Sequence, residues 1–256
     1  MAVSGSKDFE LDVAEYIEEA FERCGLEVRT GYDSVTARRS LNLLFADWAN
    51  RGLNRWTIQQ FSQTLASGVT DYPVGDIPAT VAASGSLTVG ETLTGGTSGT
   101  TAKIITKPTS TSLTLTVPSG SFTAGETITG GTSAASTTIS ANPSLSDVRS
   151  TIDILTGVIR RDNSDISISQ ISRDTYLTIP NKSTTGRPVQ YYLDRQIVPV
   201  LKLWPSPENS TDVFIYDRLV RVDDADASVN TAEVPFRFYP CLAAGLAYYL
   251  AYGFTS

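Results

Sequence analysis

The stretch that decides the fold runs from Phe9 to Trp56 and reads FELDVAEYIEEAFERCGLEVRTGYDSVTARRSLNLLFADWANRGLNRW. Apolar residues recur in it at intervals of three and four, the spacing of helices with one buried face. The first predicted helix covers about residues 7–24, and its apolar positions are Phe9, Val13, Ile17, Ala20, Phe21 and Cys24. The second covers about residues 34–49, and its apolar positions are Ala37, Leu41, Leu44, Phe45 and Trp48. The stretch therefore predicts a helical hairpin.

The link between these helices carries a stop signal and a start signal. Gly25 suits the left-handed position after a helix, and Asp33 or Ser34 suits the N-cap of the next one. Near the other end of the chain, residues 241–252 are apolar on nearly all sides, which predicts a helix that other elements cover fully. Pro240 forces a kink or a restart at its beginning. We expect this C-terminal helix to pack on the hairpin and to complete a helical bundle.

Composition argues against an enzyme and against a protein that grips nucleic acid. The 256 residues carry a net charge of −7 and include no His. Tight phosphate binding needs clustered Lys and Arg, and Ser-His or Cys-His catalysis needs His. Asp and Glu are plentiful, but no spacing singles out a carboxylate pair for hydrolysis. We expect no enzymatic activity, no cofactor and no metal site, and we expect Cys24 and Cys241 to be buried free thiols on apolar faces.

Two segments bear on targeting. Residues 1–7 contain no apolar segment of the kind that a secretory signal needs. The longest apolar run, residues 241–251, is shorter than the roughly 20 residues that span a bilayer. We therefore expect a soluble protein made in a cytosol, with no membrane contact.

A Thr-, Ser- and Gly-rich segment contains an internal repeat. Residues 84–98, SGSLTVGETLTGGTS, recur at residues 119–133 as SGSFTAGETITGGTS, with an offset of 35 residues and three conservative differences. A period of this size indicates a duplicated supersecondary unit. Alternating patterns at residues 102–106 and 112–117 favour half-buried strands, so residues 79–143 are predicted to be a small all-β module. A disordered linker is the alternative, whereas a phosphate-binding loop lacks its Lys and its following helix.

The remaining sequence reads as strands. Residues 57–73 and 148–219 form β-prone runs separated by polar turns, and Ser172 is placed to cap one helical turn. The predicted fold class is α+β: a helical bundle of the N-terminal hairpin and the C-terminal helix, an antiparallel β-rich middle, and an inserted all-β two-repeat module. The predicted domains are residues 1–78 with 144–256 as the core and residues 79–143 as the insertion.

Several phrases, in this order and spacing, carry a resemblance to a known family: residues 9–25, residues 36–44, WANRGLN at 48–54, ISRDTY at 171–176, GRP at 186–188 and VPFRFY at 234–239. They resemble the head-to-tail adaptor (connector or neck) proteins of tailed bacteriophages. The resemblance covers about residues 7–75 and 148–252. The more distant tail tubular adaptors of short-tailed phages share the layout. The module at 79–143 is not part of the usual adaptor core, and the family often continues past the last helix with a segment that docks on the portal.

The resemblance implies a structural virion protein of the phage neck, made in the host cytoplasm. A ring of about twelve copies would join the portal protein to tail or nozzle proteins, and DNA would pass through it without sequence-specific binding. An acidic lining suits this passage because it repels DNA. The expected channel-facing residues are Glu15, Glu18, Glu19 and Glu22, and a merely solvated helix face is the alternative. The expected contacts to other subunits or to the portal are Arg38, Arg39, Arg51, Arg55, Trp56, Phe236 and Arg237, and intramolecular packing or ion pairs are the alternative.

A different class of function is a binding or adhesion module. In that reading, the Thr/Ser/Gly repeats contact a host surface or tail fibres, and the helical bundle anchors them. Sugar sites are usually lined by aromatic rings, yet residues 79–143 contain only Phe122, which counts against a glycan site. Within a neck protein, we expect the module to decorate the outside of the ring, in contact with tail fibres or the neighbouring subunit.

Overall fold

Helices lie toward both ends of the chain and strands fill its middle, which confirms the predicted α+β fold class. The computed structural model describes residues 9–27 and 31–254. The helices are α1 (Val13–Arg23), α2 (Gly31–Asn50), α3 (Ser146–Ser150), α4 (Arg173–Thr178) and α5 (Tyr239–Phe254), with 3-10 turns at Arg55–Thr57 and Phe236–Phe238. The strands are β1 (Ile58–Thr64), β2 (Asp71–Pro73), β3 (Pro78–Thr80), β4 (Thr92–Gly95), β5 (Thr101–Thr109), β6 (Ser112–Leu115), β7 (Thr127–Gly130), β8 (Ser136–Thr138), β9 (Thr151–Arg161), β10 (Ser164–Ser167), β11 (Ser169–Gln170), β12 (Thr185–Gly186), β13 (Gln190–Asp194), β14 (Val200–Trp204), β15 (Ser206–Pro207) and β16 (Val213–Val220).

The chain divides into two compact units. The helical unit comprises the residues up to Ile58 and those from Arg221 onward, and the β unit comprises Gln59–Val220. These boundaries differ from the predicted ones near residues 78 and 144. The physical reason is a shared core: side chains of the repeat module and of the β-rich middle form one buried apolar cluster, which includes Leu65, Leu113 and Phe214.

In the helical unit, α1, α2 and α5 pack into the predicted bundle. Their buried side chains include Tyr16, Phe21, Leu41, Phe45, Leu246 and Leu250. A capping box begins α1, because the Asp12 carboxylate accepts a hydrogen bond from the Glu15 N–H (2.8 Å) and the Glu15 carboxylate accepts one from the Asp12 N–H (2.9 Å). Gly25 follows the end of α1 with a φ of +72°, which confirms the predicted left-handed position.

The predicted helix starts are wrong at both members of the hairpin. The Asp12 cap begins α1 at Val13, so Phe9 precedes the helix; residues 7 and 8 lie outside the described residues. Helix α2 already begins at Gly31. Asp33, predicted as a cap, therefore lies within its first turn, because nothing at that position interrupts the helix.

The C-terminal helix α5 starts anew at Tyr239, after a 3-10 turn and one residue before Pro240, which fits the predicted restart, but its cover is incomplete. Leu242, Leu246 and Leu250 are buried, whereas Cys241 and Tyr248 are exposed within the described part of the chain. The predictions of a fully covered helix and of a buried Cys241 are thus wrong, since α1 and α2 cover only one side of α5. The other thiol, Cys24, is half-buried and donates a hydrogen bond to the Ala247 carbonyl (3.3 Å).

The β-rich middle forms two four-stranded sheets, with the orders β1-β16-β9-β10 and β11-β13-β14-β2, and a small β12-β15 pair. Strands β13 and β14 are antiparallel neighbours, which fits the predicted antiparallel middle, whereas the short β11–β13 and β12–β15 pairs are parallel. Strand β16 instead pairs with β9 in the other sheet. Ser172 caps α4 as predicted, accepting a hydrogen bond from the Thr175 N–H (3.2 Å).

The repeat module forms a six-stranded sheet with the order β3-β6-β5-β4-β7-β8. The sheet closes on itself, because Val81 after β3 bridges Ile139 after β8, and the Ser140 N–H donates to the Thr80 carbonyl (2.9 Å). The predicted all-β module is therefore a small closed barrel, and the alternative of a disordered linker is wrong. Closure pairs the outer strands of the sheet with each other, which removes the hazard of open strand edges.

Both ends of the barrel segment meet at a buried arginine, and we call this junction the stem. Arg218 on β16 is 5% exposed and donates to both carboxylate oxygens of Asp147 (2.7 and 3.1 Å) and to the Val74 carbonyl (3.2 Å). The Asp76 N–H donates to the same carboxylate (2.8 Å). Burial and the charge of Asp147 raise the pKa of Asp76, while Arg218 opposes the shift. The stem thus ties the entry of the barrel segment to its exit.

Candidate interaction surfaces

The four glutamates predicted to face a channel lie together on the outer side of α1. Glu15, Glu18 and Glu22 are exposed, and Glu19 forms an ion pair with Arg23 (2.7 Å). They line a groove of about 410 Å³ together with residues at the start of α5. The apolar face of α1 fixes this direction, because its buried side chains hold the opposite side of the helix against the core. We call this surface the acidic groove.

Two exposed aromatic rings lie at the acidic groove, one of which, Phe9, lines it, and we call them the aromatic knob. Phe9 and Phe236 are 60% and 67% exposed, and their ring centroids lie 6.3 Å apart in an edge-to-face arrangement. Phe236 also lies 5.5 Å from the ring of Tyr239, which packs on Tyr16 at 5.6 Å. Burial, reinforced by Tyr239, raises the pKa of Tyr16. The knob therefore projects from a well-packed aromatic base.

The outer face of α2 is largely apolar with an arginine at its centre. Val35 and Leu43 are 55% and 56% exposed, and Arg39 lies between them at a spacing of four residues. On the flank, Arg38 donates to the Asp226 carbonyl (2.7 Å). These residues enclose a groove of about 420 Å³, which we call the α2 groove. Sequence reasoning named the two arginines but missed Val35 and Leu43, and the available signal was their position outside the buried stripe of α2.

Two of the other predicted interface arginines lie near the end of α2. Arg51 pairs with Asp47 one helical turn earlier (3.0 Å), which is the intramolecular alternative for this residue. Exposed helix pairs of this kind contribute little, about 0.3–0.5 kcal/mol. Arg55 is exposed in the 3-10 turn that follows. The structure does not bring these two arginines into the α2 groove, which lies at the other end of the helix.

Trp56 is part of the packing of the helical unit. Its indole N–H donates to the Glu233 carbonyl (2.9 Å), and its ring lies 4.6 Å from that of Phe238 and 6.2 Å from that of Trp48. The guanidinium of Arg237 lies 5.5 Å from the centroid of the Phe238 ring. Local packing therefore accounts for Trp56, while Phe236 and Arg237 remain exposed at the surface.

The helical unit exposes more large apolar side chains than the larger β unit. Of the large apolar side chains exposed among the described residues, nine belong to the helical unit and four to the larger β unit. Those of the helical unit are Phe9, Leu26, Val35, Leu43, Leu53, Ile58, Val229, Phe236 and Tyr248. Clustered exposed apolar side chains mark protein–protein contact surfaces. The concentration in one unit therefore favours the helical unit as the place where partners bind.

Sequence reasoning also missed a pair of carboxylate clamps in the barrel. The Glu126 carboxylate accepts hydrogen bonds from the backbone N–H groups of Thr97 and Ser98 (both 2.9 Å), from the Ser98 hydroxyl (2.7 Å) and from the Thr123 N–H (2.7 Å). Burial opposes ionisation, but these hydrogen bonds outweigh it and lower the pKa of Glu126 to about 2. The available signal was the Gly-Glu-Thr phrase at the same place in both repeats.

Glu91 of the first repeat forms the corresponding clamp on the turn of the second repeat. Its carboxylate accepts from the backbone N–H groups of Thr132 (3.1 Å) and Ser133 (2.9 Å), from the Ser133 hydroxyl (2.9 Å) and from the Thr88 N–H. Here too burial raises the pKa, and the hydrogen bonds from Ser133, Thr88 and Thr132 lower it by more. Each repeat therefore holds the Gly-Gly-Thr-Ser turn of the other.

Within residues 9–27 and 31–254, no group of three or more acidic or cysteine side chains is arranged to hold a metal ion. No helix in this part of the chain has both the length and the apolar character needed to cross a membrane. No protein-family model matches the sequence, and neither does any curated protein.

Proposed function

We propose that this protein is a structural subunit of a bacteriophage neck, one of about twelve copies in a ring that joins the portal to the tail and surrounds the DNA channel. The observation that supports the proposal most strongly is the pair of unlike, uncovered surfaces on the helical unit: the aromatic knob and the α2 groove. The resemblance of residues 7–75 and 148–252 to head-to-tail adaptors supplies the biological setting. The proposed role is non-enzymatic.

A ring needs two different surfaces on each subunit, because every copy contacts one neighbour with one face and the next neighbour with the other. The knob offers two exposed aromatic rings, whereas the α2 groove is concave, apolar and positively charged at Arg39. An arginine beside an aromatic ring adds a cation–π attraction to the apolar burial. We propose that Phe236 and Phe9 of one copy enter the α2 groove of the next copy, between Val35 and Leu43.

Substitutions on the α2 groove test this contact. Leu43→Asp removes an apolar contact and places a carboxylate in it. We expect assembly to weaken at least tenfold, since burying one Leu contributes about 1.5–3 kcal/mol. Leu177→Asp is the matched control, because Leu177 is 62% exposed and lies in the β unit. The measurement is the mass of the assembly by native mass spectrometry, with the portal present and absent.

Three outcomes bear on the proposal. A ring that forms with the wild-type chain, is lost with Leu43→Asp and persists with Leu177→Asp supports it. A ring that tolerates Leu43→Asp places the subunit contact elsewhere. A wild-type chain that stays monomeric with the portal and the tail proteins present contradicts the proposed function itself.

We propose that the acidic groove lines the DNA channel. Four glutamates on one helix face give a repelling surface, along which DNA slides without being held. Changing both Glu18 and Glu22 to Lys adds cations that bind phosphates and release counterions. We expect rings of this variant to assemble normally but to retain DNA, with DNA retention falling steeply as salt rises. Equal passage of DNA through variant and wild-type rings would place the groove outside the channel.

The barrel has a different place in this proposal. It lies in the β unit, and its surface is rich in Thr, Ser and Gly with few charges, a composition that suits contact with protein better than a DNA channel. We propose that it decorates the outside of the ring, where tail fibres or the neighbouring subunit are in reach. A cryo-EM reconstruction of the neck that shows the barrel in the bore would overturn this placement.

A further inference from the structure

The barrel consists of two halves with a period of 35 residues, which correspond to each other over residues 78–104 and 113–139. Strand β7 starts and ends 35 residues after β4, and β3 and β6 correspond at the same offset. The hairpins correspond as well: Leu93 faces Ala102 in β4–β5, and Ile128 faces Thr137 in β7–β8. The equivalence therefore extends well beyond residues 84–98 and 119–133, where the sequences are alike.

Backbone hydrogen bonds repeat with the same period and nearly the same lengths. The Gly90 N–H donates to the Ile104 carbonyl at 2.8 Å, and the Gly125 N–H donates to the Ile139 carbonyl at 2.8 Å. The Ile104 and Ile139 N–H groups donate to the carbonyls of Glu91 and Glu126, each at 3.0 Å. The two halves thus share one backbone conformation although their side chains differ at many positions.

The contact between the halves has two-fold symmetry. In the antiparallel β4–β7 pair, Thr94 lies opposite Thr129, which is its own counterpart in the second half. The Gly96 N–H donates to the Thr127 carbonyl, and the corresponding Gly131 N–H donates to the Thr92 carbonyl, both at 2.8 Å. A surface that meets its own counterpart in this way is an isologous interface, the kind found in symmetric homodimers.

The carboxylate clamps obey the same symmetry. Glu126 of the second half holds the turn at Ser98 of the first, and Glu91 of the first half holds the turn at Ser133 of the second. Gly95 and Gly130 make room for these carboxylates, because a Cβ on Gly95 would lie 2.8 Å from the Glu126 oxygens, and one on Gly130 would lie 2.5 Å from Glu91. Each half therefore supplies both a carboxylate that accepts hydrogen bonds and a turn that donates them.

From this symmetry we infer that each half is a self-recognition element, whose partner is a second copy of the same half. In the intact chain the first half is the partner of the second. A chain that carries one half presents an unpaired β7-type strand, a carboxylate and a Gly-Gly-Thr-Ser turn, and these fit the same surface of another chain. The chain passes from β5 of the first half to β6 of the second through a two-residue turn, Ser110 and Thr111, and the length of this turn decides whether pairing stays within one chain.

Deletion of residues 78–112 tests the inference. It removes one full period and leaves Asp76, Asp147 and Arg218 of the stem in place. A Thr129→Cys substitution is added, with Cys24 and Cys241 changed to Ser. In a two-fold pair, the new cysteine faces its own copy at about 5.5 Å between Cα atoms, within the range of a disulfide.

We expect the truncated chain to form covalent dimers under mild oxidation, seen on non-reducing gels. The matched control is the same truncated chain with Ser136→Cys in place of Thr129→Cys. It should stay uncrosslinked because Ser136 faces Thr129 of its own half. A folded truncated chain in which Thr129→Cys crosslinks no better than Ser136→Cys overturns the inference.

A second variant makes the test independent of the folding of the truncated chain. The full-length chain carries Thr94→Cys and Thr129→Cys, with and without deletion of Ser110 and Thr111. We expect the intact link to give disulfides within one chain and the shortened link to give disulfides between chains. Disulfides confined to one chain in both variants overturn the inference. Neither readout depends on the proposed ring, because both report strand pairing inside the barrel.

Discussion

Ala134 is the residue at which the two halves of the barrel should respond most differently to substitution. It adopts a φ of +54°, and its counterpart Gly99 adopts a φ of +66°. A left-handed conformation costs a residue with a side chain about 1–2 kcal/mol, and the greater freedom of Gly in the unfolded chain offsets about 0.5–1 kcal/mol of that. We expect Ala134→Gly to raise the free energy of unfolding by about 0.5–1 kcal/mol, and Gly99→Ala to lower it by a similar amount.

Side-chain contacts contribute little to these expected changes in the free energy of unfolding. A Cβ at Gly99 would meet no atom within 4 Å, and Ala134 is exposed. The backbone bonds at the two sites also match, since the Gly99 N–H and the Ala134 N–H donate to the Gly95 and Gly130 carbonyls, each at 3.0 Å. The two substitutions therefore report the backbone conformation alone.

Urea unfolding followed by far-UV circular dichroism measures the change, with calorimetry as a second readout. A change of 1 kcal/mol moves Tm by about 2–4 °C in a unit of this size. The double variant should unfold close to wild type, because the effects of separate, independent sites add. Equal signs for the two single variants, or no change in either, would refute the reasoning.

Four further substitutions test charges in the β unit. The pKa of Glu126 is about 2 in the folded protein and about 4.5 in the unfolded chain. Its clamp therefore stabilises the barrel fully above pH 4.5, and this stabilisation is lost as the pH falls from there toward 2. Glu126→Gln should destabilise the barrel at pH 7 and flatten the pH dependence of the urea midpoint between pH 5 and 2, and Glu91→Gln should do the same. Arg218→Met should lower the free energy of unfolding by about 1.5–3 kcal/mol, because it removes the hydrogen bonds of a buried guanidinium to the Val74 carbonyl and to the Asp147 carboxylate, which is itself 40% exposed. Arg160→Met, at an exposed ion pair, should cost under about 1 kcal/mol in the same assay.

Much of the architecture could be predicted from local pattern. Helical periodicity identified the hairpin and the C-terminal helix, and an almost identical phrase at an offset of 35 residues identified the module. The start of α1 was missed because Phe9 fits the apolar stripe by spacing, whereas the Asp12 and Glu15 capping box decides where the helix begins. Apolar spacing shows which residues can share one face of a helix, but only the cap shows where the helix begins.

Closure of the barrel could not be predicted, because it depends on residues without any repeat signal. Val81 and Ile139 bridge the last gap, and neither belongs to the similar phrases. The two-fold arrangement could not be predicted from the sequence either, since a sequence repeat fits two stacked units as well as two units related by a two-fold axis. The positions of the clamps require the register of β4 against β7, which is a tertiary property.

Most residues of the predicted interaction surfaces were chosen for their charge, and charge alone did not identify the surfaces that the structure shows. Glu18 and Glu22 do lie together, because four-residue spacing on one helix guarantees it. Arg38 and Arg51 are engaged by the Asp226 carbonyl and by Asp47. Val35 and Leu43 give the α2 groove its apolar character; their position outside the predicted buried stripe was a signal, but the structure is needed to show that no other element of the described chain covers them.

The stem has a mechanical consequence. Although 70 residues separate Asp76 from Asp147, the Asp76 N–H and the Asp147 carboxylate lie 2.8 Å apart, and Arg218 holds that carboxylate on β16. Tension along the chain between the flanking sheets is therefore carried by the stem and bypasses the barrel. The barrel therefore sits on a side branch of this load path and should keep its fold until the contacts of Asp147 with Asp76 and Arg218 have broken.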